Sequence, residues 1–145
     1  MHIDAMLEFA MEYPLSWTKT RQQNRAAGWG VVRWADPEHP EVKLSVSSKS
    51  VPPPVVPEHH VDQLVTELPG FEFSSRETTF LQDVSSLHVL GYTPQLTYDI
   101  HLLSSQNRLF IVMFSAPPDL FDAYQSALRE SLDSFTILEN YNGSG

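Results

Sequence analysis

The chain has 145 residues, no cysteine, and nine Lys and Arg against eighteen Asp and Glu, for a formal charge of −9. That length fits one domain with a substantial core. The missing thiols exclude disulfide frameworks, thiolate catalysis and thiolate zinc or iron–sulfur sites, and the acidic balance opposes nucleic-acid binding.

The opening MHIDA shows no periodicity, and residues 1–6 read as a tail. Leu7, Phe9, Met11 and Tyr13 alternate with Glu8, Ala10 and Glu12, which predicts a first strand stopped by Pro14 and pinned by Trp17. Lys19 to Gly28 is polar, basic and Gln-rich and reads as a loop or short helix. It leads into a second strand, GWGVVRWAD, where Val32 and Trp34 share a core face. After the DPEHP turn, Val42, Leu44 and Val46 mark a third strand. VPPPVVP, with four prolines, is an extended connector, because proline fixes φ and lacks an amide donor. Pro57 suits the first turn of a short helix whose stripe is Val61, Leu64, Val65 and Leu68, ended by Pro69-Gly70.

Phe71 to Leu81 and Leu87 to Tyr92 read as strands, with a corner at Tyr92-Thr93-Pro94. In the next strand Leu96, Tyr98, Ile100 and Leu102 face one side, while Thr97, Asp99 and His101 face the other, the pattern of a half-buried strand. Leu109 to Ser115 is apolar on both faces, which predicts an internal strand covered on each side. Asp119 is placed to cap a long closing helix with Phe121, Tyr124, Leu128, Leu132 and Phe135 on one face. Residues 139–145 read as a C-terminal tail, and the final Gly-Ser-Gly as an expression remnant. The order β-β-β-α-β-β-β-β-α with short turns requires a predominantly antiparallel sheet of about six to seven strands, since a parallel return needs a dozen or more connecting residues.

Chemistry is sparse. No G-x-S-x-G, H-E-x-x-H, P-loop or G-x-G-x-x-G occurs, and the serines cluster in turns. Among the histidines the tightest group is Glu58-His59-His60 with Asp62, but adjacent helical residues diverge by about 100° and do not converge on one ion. His39 lies in a turn, and His88 and His101 lie on strands with nothing pairing them in sequence. No catalytic residue, metal site or cofactor is expected. The candidate contact residues are Trp29, set between Gly28 and Gly30, with Arg21, Arg25 and Arg33 as positive charge around it.

Tyr13, Pro14 and Trp17 in LEFAMEYPLSW, and Tyr98, Arg108, Ser115, Ala116, Pro117, Phe121, Ser134 and Phe135 in the last forty residues, resemble PsbP-like domains. The order of elements matches over nearly the whole chain. The resemblance implies an α+β fold of the PsbP/Mog type, an α/β/α sandwich with a central antiparallel sheet and helices on its faces, filling residues 1–145 as a single domain. It also implies a family of binders, among them a lumenal photosystem subunit, a Ran-binding protein, effector chaperones and bacterial lipoproteins.

The expectation is therefore a non-enzymatic protein-binding or assembly domain with a protein partner and no nucleic acid. It would come from an exported bacterial protein, periplasmic or anchored by lipidation in a longer precursor. The alternatives are a cytoplasmic effector chaperone of the same fold, and a small hydrolase or metal-binding enzyme using the unpaired histidines.

Overall fold

The computed structural model describes residues 2–4, 9–14, 16–24, 29–81, 84–105 and 107–138, with the backbone alone at 3–4, 22–24 and 29. The chain begins with β1 (His2–Asp4), β2 (Phe9–Met11), β3 (Thr18–Asn24), β4 (Trp29–Asp36) and β5 (His39–Ser50), followed by α1 (Glu58–Thr66). Then come β6 (Glu72–Leu81), β7 (Val84–Tyr92), β8 (Thr97–Ser104) and β9 (Arg108–Ala116). α2 (Pro118–Phe121), a 3-10 turn (Asp122–Tyr124), α3 (Gln125–Ser134) and β10 (Thr136–Ile137) close it.

Seven strands form one sheet in the order β3-β4-β5-β9-β8-β7-β6, every neighbouring pair antiparallel. β9 sits between β5 and β8, as its two apolar faces require. One face of the sheet, with Val32, Trp34, Leu44, Val46, Val112 and Phe114, packs under α3 residues Leu128 and Leu132 and under Phe9, Met11 and Phe135. On the other, Leu87, Val89, Ile100, Leu102 and Ile111 pack under Val61 and the partly buried Leu64 of α1. The Val51 to Pro57 connector, read as extended, instead bends at Pro53 and Pro54, where the peptide bond is cis, and turns into α1 at Pro57, with Val51 and Val55 packed on that second core.

Four further sequence expectations change. Thr18–Asn24, read as loop or helix, is an edge strand paired along its length with β4. Its polarity fits an edge, where nothing needs to cover both faces. The segment read as a tail contributes β1, and the strand read over Leu7 to Tyr13 is not in the main sheet. Phe9–Met11 instead pairs with both β1 and β10 in a separate three-stranded sheet, and the rings of Phe9 and Phe135 stack at 5.8 Å. The closing helix is broken at the 3-10 turn, with Pro117 rather than Asp119 at the N-cap of α2. Last, β8 is buried on both sides, so Asp99 and His101 do not face solvent.

Candidate functional site

Asp99 and His101 are two apart on β8 and share a face. The β7–β8 register sets His88 directly opposite His101, and Leu90 opposite Asp99. On the next strand Val112 stands beside His101 and Phe114 beside Asp99, so the polar trio continues the apolar face that lies toward α3. Buried polar groups in such a position are costly unless they satisfy one another. These do: His88 Nε2 lies 2.8 Å from Asp99 Oδ1, and His101 Nε2 lies 3.4 Å from the same oxygen. Ser86 Oγ lies 3.2 Å from His101 Nδ1. In the tautomer with Nε2–H directed at Asp99, His101 Nδ1 accepts from the serine hydroxyl. The two imidazole rings stack, with centroids 4.2 Å apart and planes 6° apart.

Electrostatics follow from these contacts. Burial works against ionisation of Asp99, but hydrogen bonds from His101 and His88 outweigh it and hold the carboxyl down at about 2. The bond to Asp99 raises the His88 imidazolium above the usual histidine value, against burial and the Arg129 charge, with help from Glu77. A recess of about 190 Å³ opens above the trio, lined by His88, Asp99 and His101 below, by Thr79, Phe80 and Leu81 of β6, and by Gln125, Leu128, Arg129, Leu132 and Asp133 of α3.

Ser86, His101 and Asp99 form the hydrogen-bond chain of a nucleophile triad, but Ser86 is 1% exposed and does not line the recess. Its hydroxyl cannot meet a substrate there, so it orients His101 instead. His88, Asp99 and His101 each offer one ligand atom, and these atoms lie within 4.8 Å of one another. The Glu58-His59-His60 group does not converge in this way: His59 is exposed, His60 is half-buried, and burial lowers the His60 value.

Of the contact residues read from sequence, Arg21, Arg33 and the backbone of Trp29 lie at the opposite end of the sheet. Arg21 is on edge strand β3, and Arg33 is on β4, half-buried. Arg21 stands opposite the core residue Val32, and Arg33 opposite Thr20, so the two arginines project from opposite faces of one edge. Trp29 begins β4, opposite Asn24, and its side chain lies outside the described residues, as does all of Arg25. At the far edge β6 carries Phe73 and Phe80, 43% and 72% exposed, with the Arg76 guanidinium 5.7 Å from the Phe73 ring centroid. Among the described residues no helix is long and apolar enough to cross a membrane.

A seven-stranded antiparallel sheet between α1 on one face and α3 with a small second sheet on the other defines the PsbP-like fold. Solved structures agree. Cyanobacterial PsbP (CyanoP) from Synechocystis sp. PCC 6803 superposes with a TM-score of 0.72 at 14% identity, over 94% of this chain and 90% of that one. LpqN, described as involved in cell envelope biogenesis of Mycobacterium tuberculosis, gives 0.59 at 18% identity over 89% and 82%. A Bacteroides thetaiotaomicron protein gives 0.61 at 12% identity, and there the match spans 90% of this chain but 45% of the other. No protein-family model matches the sequence, and no curated protein does. At these identities the likeness is one of fold.

Proposed function

We propose that this chain is a non-enzymatic protein-binding domain, within an exported bacterial protein or lipoprotein, and that its contact surface is the β3–β4 edge with Trp29, Arg21, Arg25 and Arg33. The observation that supports it is a separation of charge. Six of the nine basic residues lie between Lys19 and Lys49, on or beside β3, β4 and β5, against three acidic ones, an excess of three positive charges in a chain of net −9. Lys19 and Arg21 are exposed on β3, and among the described residues no strand pairs its outer side.

A sheet edge with unpaired backbone groups accepts an extended segment as an added strand. Positive side chains along that edge select an acidic one, and a tryptophan beside it supplies the kind of anchor that dominates contact energy. Ser86, the serine bonded to His101, is buried and does not line the recess, which weighs against a hydrolase built on it.

The test is capture of a partner from native lysate by the full chain and by two variants, Trp29→Ala and the double variant Arg21→Glu with Arg33→Glu. A partner held by the wild type, released by salt, and lost to both variants while their unfolding midpoints stay close to the wild type is the expected result. Equal capture by all three proteins would overturn the assignment of this edge. So would loss only on substituting Phe80 of β6, which would move the contact to the other edge.

A further inference from the structure

We propose that His88, Asp99 and His101 form a binding site for a divalent first-row transition ion of the zinc type, held by two imidazole nitrogens and one carboxylate oxygen. This goes beyond the protein-binding reading and does not depend on it. The ligand atoms of the three residues lie within 4.8 Å of one another. Zinc binds imidazole nitrogen and carboxylate oxygen at about 2.0–2.2 Å, so tetrahedral ligands stand roughly 3.3 Å apart. The present contacts to Asp99 Oδ1, 2.8 Å from His88 and 3.4 Å from His101, bracket that spacing. The rings now stack with planes 6° apart, so their nitrogen lone pairs lie in parallel planes, and one imidazole must turn out of the stack for both to meet one ion.

The supporting shell is in place. Ser86 sits at His101 Nδ1 and fixes the ring so that Nε2 faces the centre; when Nε2 binds metal, Nδ1–H donates to the serine oxygen. His88, with 21% of its side chain exposed against 7% for His101, is the ring with room to turn toward the ion. The donor set, two imidazoles and one carboxylate, suits zinc and its neighbours, whereas calcium and magnesium take oxygen ligands.

Three protein ligands leave the ion a free position, and the recess between β6 and α3 gives that position room. Gln125 lines the recess, and its side-chain nitrogen is buried with no hydrogen-bond partner. A water or anion on the metal would accept from it. Around the trio, Glu77 stands opposite His88 on β6, and Asp133 and Arg129 line the recess from α3, so carboxylates outnumber cations.

The test is calorimetric titration of the full chain with zinc chloride, followed by nitrogen NMR of the histidine rings. One ion per chain is expected, with the ring signals of His88 and His101 moving and those of His59 and His60 staying. His88→Gln, on a half-buried residue, should weaken binding roughly tenfold or more, and Ser86→Ala should cost about tenfold through the lost support of His101. Far-UV circular dichroism and the unfolding midpoint show whether each variant is folded; if Ser86→Ala is not, His88→Gln decides. No binding heat, or binding that survives His88→Gln and disappears on replacing His59 and His60, would overturn the proposal.

Discussion

His88 and His101 face each other across the β7–β8 pair with rings stacked at 4.2 Å, and both point Nε2 at one oxygen of Asp99. Two bases share a single buried carboxylate, so the stability of the metal-free protein depends on pH. Asp99 is lowered from 3.8 to about 2, so its contribution is present above the unfolded value and is lost as pH falls through the folded one. His88 is raised above 6.5, so its contribution is present below that value and is lost as pH rises through the folded-state value. The pair is strongest between those limits. Urea midpoints with a chelator present should show Asp99→Asn destabilising more at about pH 5 than at about pH 9. A difference that is flat or grows with pH would remove the ion pair from the fold's stability.

Ile111 lies on the central strand β9, 5% exposed, in the core under α1. Ile111→Ala should cost about 2–5 kcal/mol through lost burial and the cavity left behind. A denaturation midpoint unchanged from the wild type would contradict its placement.

Gly91 on β7 is a site of close approach. A Cβ there would overlap Phe71 Cζ and lie 2.6 Å from the Glu72 carbonyl oxygen, and the Phe71 ring is held edge-on to Tyr98. Gly91→Ala should cost roughly 1–3 kcal/mol by overpacking, read from thermal unfolding. The double variant Gly91→Ala with Phe71→Leu should lose less than the two single changes together, because removing the Phe71 ring relieves its clash with the new methyl group.

Period and turn chemistry made much of the fold legible. The two-sided apolar run at Leu109 to Ser115 marked the sheet centre, and Val32 and Trp34 marked a core face, as the structure has them. Thr18–Asn24 was not legible because an edge strand needs no apolar alternation, and β1 was not because three residues carry too little pattern. The His–Asp trio hid for another reason. A polar alternation normally marks solvent, and only the tertiary lid of α3 makes that face of β8 interior. The signal was nonetheless present: His88 lies six residues before Pro94 and His101 six after Gln95, so a hairpin turning between Pro94 and Gln95 must pair them.

The most direct test of the proposed binding function is amide hydrogen exchange on the full chain, free and with any partner it captures. Added-strand binding at the basic edge should slow exchange along Thr18 to Asn24 and leave Glu72 to Leu81 unchanged. Protection confined to β6, or none on either edge strand, would contradict it.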